Sequence, residues 1–501
     1  MRSQISYFAV DRIQPETQAK LKLAKGRSFP MSRRTSYSLA SVSQSLRKAV
    51  AVSCAASVIL SSAITRPAHA NGLPLIRDTE IEKLLSDYAH PIFRAAGLGT
   101  GRVAIRIVRH NAFNAFVVDG RNVFVHTGAI MQSETPNQII GVLAHETGHI
   151  TGGHMAALRS RIARDQTKIL LAQVLGILLI GGAAATGGDT GRDLGGAGQA
   201  VMQGGSELVM RSLLAERRSQ ESAADQAGLR YLSATKQSGA GMLETFERFA
   251  QQEYISDAHK DVFARSHPVA TDRLARLRKL AESSPYYSKK DPPELQFRHD
   301  LMRAKLSGYL ENPRTVFNRY PDRDTSIPAR YARAIARYFM GGNRAVPDAI
   351  AEVDGLIRDK PGYPYFHELK GDLLMRAGRA TEAIGPLRKA LSLLDNAPLI
   401  KVQLATALQQ AGGDKRIAES VSLLRNAVIG DQNPTAHRML ASAYYKQGKL
   451  PLADAETAQA YFLEGNVQQA QIFAKRAQRQ LKKGSPEWLR NDDVINYKPE
   501  T

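Results

Sequence analysis

The sequence predicts two folded parts in series: an α+β domain, mostly helical with a small sheet, over residues 71–282, and an all-α stack of helix pairs over 327–483. Three observations point there. Short apolar runs, "RVAIRIV" and "NVFVH", sit among longer stretches of helical periodicity before residue 283. The stretch "SSPYYSKKDPPE", 283–294, has the Ser, Pro and Lys content of a linker. Beyond it, glycine turns between helical stretches recur at spacings of 36, 34 and 36 residues, from Gly342 to Gly378, Gly412 and Gly448. A chain of 501 residues has room for two or three such units.

Residues 1–70 read as an export signal. Arg47 and Lys48 precede an apolar run from Ala49 to Leu60, and small residues at Ala68 and Ala70 place the expected cleavage after Ala70. Met31 is a second candidate start. The apolar core, about 12–14 residues, falls short of the roughly 20 that a transmembrane anchor needs. Cys54 is the only cysteine and lies in that core, so the chain after residue 70 forms no disulfide. A metal there must be held by His and carboxylate. Of the net charge of +21, residues 1–70 carry +9 (11 Lys/Arg against Asp11 and Glu16), leaving about +12. Such a surface is solvated, or favours anionic headgroups. No aromatic-plus-basic cluster turns it into a nucleic-acid surface.

The elements follow in order. Residues 71–100 are amphipathic and helical; 102–108 and 122–126 are strands, with Asp119–Gly120 a turn between "NAFVV" and "NVFVH". From Pro136, apolar residues at Ile139, Ile140, Leu143 and Ala144 mark a helix. The run 169–185 is marginal for a membrane span. It reads as a buried or interfacial helix leading into a mobile glycine-rich loop over 176–205, of the kind that forms lids. Residues 207–236 and 240–255 are helices, and "HPVATDRLARLRKLAESS" is a loop running into another. Residues 283–326 are a linker and connecting helix. Over 327–483, a period near 34 with Ala405 and Ala441 before the turns is a tetratricopeptide signature, implying a solenoid with a concave binding face. Residues 484–501 are a C-terminal tail.

The chemistry gathers at "AHETGHITGGHMA", 144–156. On a helix, positions four apart lie about 40° apart on one face. His145 and His149 therefore aim both imidazoles at one metal ion, with Glu146 one step round, able to take a proton from a water at that ion. His154 is a poor third ligand. A metzincin needs its histidine at position 155, which is Met155, and a continued helix would put His154 about 140° off the ligand face. A structural or substrate-side role suits it better. Downstream, Glu221 and Asp225 stand at i and i+4 on a helix, the gluzincin arrangement. Glu221 completes a His₂Glu set, and Asp225 accepts from a liganding histidine's other nitrogen.

"HETGH" with a histidine five residues later, "RSQESAAD" and "SHPVATDRLARL" together resemble the HtpX/CAAX-prenyl-protease family of zinc metallopeptidases. The export signal and repeats resemble its periplasmic beta-barrel assembly-enhancing branch. The fold implied is a gluzincin-type metalloprotease domain followed by a tetratricopeptide-repeat solenoid. The resemblance makes His145, His149 and Glu221 the ligands of one Zn²⁺ per chain, Glu146 the general base and Asp225 the partner of a liganding histidine. It makes His154 a common histidine that is not a ligand. It implies that His267 can cover the metal and hold the protease inactive, leaving open whether it does so at rest. Arg273, from the HPxxxxR pattern, would stabilise the transition state. "NAFVVDGRNVFVHTG" becomes an edge strand that aligns substrate as an added β-strand, although Val118–Asp119 stand where many relatives read proline–glycine or two glycines.

The expected protein is a periplasmic zinc endopeptidase, associated with the outer membrane. It would degrade misassembled outer-membrane proteins and assist their assembly, with the beta-barrel assembly machinery as partner. Residues 169–205 would touch membrane or client. The rival is a chaperone or scaffold working through its repeats, with latent or minor proteolysis. A multi-span membrane protease is excluded for lack of several long apolar segments.

Overall fold

The computed structural model describes residues 73–99, 101–165, 188–251, 262–429, 431 and 433–498, with backbone alone for 188–208 and 210. The export signal over 1–70 and the apolar run 169–185 lie outside the described residues. Among the described residues no helix is long and apolar enough to cross a membrane.

A four-stranded sheet opens the first part, in the order β1 (Leu75–Ile76), β2 (Ala104–Val108), β4 (Asn122–His126), β3 (Ala115–Val117). The expected hairpin is there: β3 and β4 are antiparallel, and Asp119 Oδ1 accepts from the backbone N–H of Arg121 and Asn122 at 2.9 Å each while Gly120 takes φ 73°. β2 and β4 run parallel, and β1 pairs antiparallel with β2. Residues 75–76 were expected within a helix; a two-residue strand is too short to carry an alternation. The helix proper, α1 (Thr79–Ala95), starts at Asp78, whose Oδ1 accepts from Ile81 N at 2.9 Å. Its buried Ile81, Leu84, Leu85, Tyr88 and Ile92 form one stripe, each such side chain worth about 1.5–3 kcal/mol of burial.

Behind the sheet, α2 (Thr127–Gln132) leads into α3 (Pro136–Thr151), a helix buried along most of its length. Residues 154–165 form α4. Against α3 lie α5 (Gly188–Ala234) and α6 (Ala240–Ala250), followed by α7 (Val262–Ser266) and α8 (Thr271–Glu282). The glycine-rich segment corrects an expectation: 188–205 is the N-terminal part of the 47-residue α5, not a loop. Glycine lowers helix propensity by about 1 kcal/mol per residue without forbidding it, and a helix nucleated at its packed end propagates through such residues. The linker is also tied down. Lys289 Nζ donates to Lys236 O at 2.7 Å, and Asp291 Oδ2 accepts from Asn137 N at 2.9 Å.

Beyond it come α9 (Pro293–Leu310) and α10 (Pro313–Arg319), then helices paired in series. These are α11 (Ile327–Gly341) with α12 (Val346–Asp359), α13 (Pro364–Arg376) with α14 (Ala380–Ser392), and α15 (Pro398–Ala411) with α16 (Asp414–Val428). They continue with α17 (Pro434–Lys446) and α18 (Leu450–Leu463), then α19 (Val467–Gln478) and α20 (Pro486–Asn496). The turn glycines Gly342, Gly378, Gly412 and Gly448 have φ of 57°, 78°, 72° and 71°, which is why glycine recurs there. The stretch read as a tail holds α20, whose Val494 packs on Ala458, Ala470 and Ala474.

The two parts meet in a buried ionic knot. Lys305 Nζ on α9 lies 2.7 Å from Asp78, 3.2 Å from Glu80 and 3.4 Å from Glu368 on α13. Tyr331 and Tyr363 donate their hydroxyls to Glu80 at 2.9 and 2.6 Å, and Gln403 Nε2 donates to Glu368 at 3.2 Å.

Candidate metal centre

Small residues bring α3 and α5 together. A Cβ on Gly148 would stand 2.6 Å from Ala224 O, and one on Gly228 would stand 3.1 Å from His145 N. Backbone therefore lies on backbone, and residues 145 and 149 of α3 face 221 and 225 of α5. Gly148 was a legible signal of this crossing that sequence reasoning did not use; Gly141, seven residues earlier, serves the crossing with α6 instead, where a Cβ would stand 2.6 Å from Met242 Cβ.

His145, His149, Glu221 and His267 converge, each offering a donor atom within 4.8 Å of the others. His149 Nε2 is 3.1 Å from His145 Nε2, and Glu221 oxygens lie 3.4 Å from the first imidazole and 3.5 Å from the second. His267 Nδ1 is 3.2 Å from His145 Nε2 and 3.1 Å from Glu221 Oε2. Donors at about 2.0–2.2 Å around a tetrahedral zinc stand about 3.3–3.6 Å apart, so this donor set fits such an ion. Glu146 is buried beside them. Its Oε1 has no hydrogen-bond partner among the described residues and lies 3.4 Å from His267 Nε2.

The electrostatics suit a cation. Burial works to lower the pKa of His145, but hydrogen bonds to Asp225 and Glu221 outweigh it and push the imidazole up to about 9. Burial and the neighbouring His145 push His149 down to about 2, leaving its nitrogen a free lone pair. Burial opposes ionisation of Glu221, yet His267, His145 and Arg273 hold its carboxyl well below the usual range. Burial raises Glu146 above the usual range. Asp225 Oδ1 lies 3.0 Å from His145 Nδ1.

Arg273, expected to stabilise a transition state, lies beside both carboxylates of α5. Its Nε and Nη2 donate to Asp225 at 2.5 and 2.7 Å, and its Nη1 lies 2.8 Å from Pro268 O and 3.0 Å from Glu221 Oε2. The buried guanidinium thus ties the carboxylates of Glu221 and Asp225 together. His154 Nδ1 sits 2.9 Å from His149 Nδ1, outside the donor cluster. Two contacts went unread in the sequence. Ser266 Oγ donates to Asn114 Oδ1 at 3.1 Å just before β3, and Arg217 donates to the carbonyls of Arg265, at 3.0 Å, and Ser266. Together they fix the segment that carries His267.

Residues 76–281 match the model of Peptidase family M48. This stretch is an M48 peptidase domain. M48 enzymes are metal-dependent peptidases, and the donor cluster lies within the matched stretch. The chain is 24% identical over 443 residues to the beta-barrel assembly-enhancing protease of Escherichia coli (strain K12), covering 84% of each. It is 23% identical over 437 residues to the protein of that name from Yersinia pestis, again 84% of each. A solved structure described as MamA MSR-1 C2 aligns with 33% of this chain and 92% of its own, at 19% identity and a TM-score of 0.28, too low to bear on the fold. The M48 domain ends at the linker, and the paired helices lie beyond it.

Proposed function

We propose that the chain is a zinc-dependent endopeptidase whose metal is held by His145, His149 and Glu221. The observation that carries this is the convergence of those three side chains beside the buried carboxyl of Glu146. A zinc ion there supplies a Lewis acid for the peptide carbonyl and lowers the pKa of water. Glu146 is the base: its carboxylate takes a proton from the water and can return it to the departing amine, and burial strengthens its hold on that proton. The Asp225 carboxylate, its Oδ1 3.0 Å from His145 Nδ1, favours the proton on that nitrogen and leaves Nε2 unprotonated toward the metal. Arg273 steadies both carboxylates. β3 pairs with β4 alone among the described strands, so its outer edge suits an added substrate strand.

The helix pairs over 327–483 serve as tetratricopeptide repeats that dock protein clients. The relatives' name, beta-barrel assembly-enhancing protease, supports outer-membrane proteins as the clients, the assembly machinery as the partner and the periplasm as the place. Glu146→Gln should keep about one zinc per chain and lose casein cleavage. Unchanged cleavage by the purified variant overturns the mechanism. A second reading, a scaffold with latent proteolysis, is favoured by His267 standing in the fourth donor position. In cells, full complementation by Glu146→Gln would support it.

A further inference from the structure

We infer that His154 is a positioning residue of the metal centre: it receives the Nδ1–H of His149 and so turns the Nε2 lone pair of that ring toward the metal. The inference rests on the metal-centre reading above. The two liganding imidazoles of α3 each need an acceptor for the nitrogen that faces away from the metal. Asp225 lies at that nitrogen of His145. For His149, the group at that nitrogen is the ring of His154, 2.9 Å from Nδ1 to Nδ1, with the two rings near perpendicular at 79°. Since Nε2 of His149 faces His145 and Glu221, its proton sits on Nδ1, and His154 must present its own Nδ1 as acceptor.

Two glycines make this possible. Continued as a helix, the chain would carry His154 away from His149. Gly153, at φ 62°, breaks α3 and returns the next residue to the ligand side. Gly152 has φ −74°, a conformation any residue adopts, so backbone does not demand glycine there. Space does: a Cβ at 152 would stand 2.3 Å from His154 Nε2. The glycine pair is a seat for the imidazole. The consequence is an unequal pair of ligands, His145 backed by a carboxylate and His149 by a neutral ring.

The test is zinc affinity of the full chain by competition with a chromophoric chelator, alongside the thermal midpoint of the apo form. His154→Ala removes the acceptor, and Gly152→Ala keeps every side chain but displaces the ring. Both are expected to bind zinc about 10–100-fold more weakly, the usual effect of losing such a partner. His154→Asn, whose Oδ1 stands where Nδ1 was, should recover most of that loss. The cobalt-loaded spectrum should shift in the first two variants and not in the third. Wild-type affinity in His154→Ala, or no recovery in His154→Asn at an unchanged apo midpoint, overturns the inference. A wild-type chain that binds no zinc instead fails the metal-centre reading itself.

Discussion

At the scale of single residues, the site depends on what is missing as much as on what is present. Gly148, inside the His145–His149 turn, lets α5 approach until its backbone touches α3; a methyl there would meet Ala224 O at 2.6 Å. Gly148→Ala should therefore force the helices apart, costing about 1–3 kcal/mol in denaturant unfolding and lowering zinc occupancy. Normal occupancy with unchanged stability would show that the crossing is not what sets the donors. The reactive residues were legible because helix geometry puts positions 145 and 149, and 221 and 225, on common faces. His154 was not, since its partner depends on the helix break at Gly153, which no periodicity reports. Nor was the commitment of Arg273 to Asp225 and Glu221, which follows only from the packing of α8 against α5.

At the scale of elements, the segment from α7 to α8 is the one that must move for the proposed chemistry. It carries His267 into the fourth donor position, and Asn114 and Arg217 pin it there. Its docking beside β3 could not be read from spacing, because 122 residues separate His145 from His267. His267→Ala should keep zinc and raise casein cleavage on the order of tenfold or more, the factor that about 1.4 kcal/mol of competing contact represents. Equal rates in both forms would mean that this side chain does not restrain the enzyme. The helix expected from Pro136 starts there as α3, whereas the one expected over 71–100 is shorter, running from Thr79 to Ala95 as α1. The start of α5 was misread because its glycine content outweighed its continuity with the packed half.

At the scale of the molecule, the ionic knot joins the M48 domain to the paired helices. Lys305 faces three buried carboxylates, and burial pushes Glu368 up to about 7, with Asp78 and Glu80 adding to the shift and Lys305 opposing it. A carboxyl whose folded pKa lies above its unfolded value near 4.5 contributes stability below that value and loses it as pH rises through 7. Between pH 4.5 and about pH 8, stability should thus shift in favour of Glu368→Gln over wild type by on the order of 1–3 kcal/mol. A pH-independent difference in denaturant unfolding would contradict this. None of the knot was foreseen, since its members are spread from residue 78 to residue 403 and each alone looks like a surface charge or hydroxyl.

The central claim is a metal held by His145, His149 and Glu221 with His267 at the fourth position. X-ray absorption at the zinc edge counts the imidazoles directly. The account predicts about one zinc per chain with three imidazoles in the wild-type protein and two in His267→Ala. A chain that binds no zinc, or the same imidazole count in both forms, would contradict it.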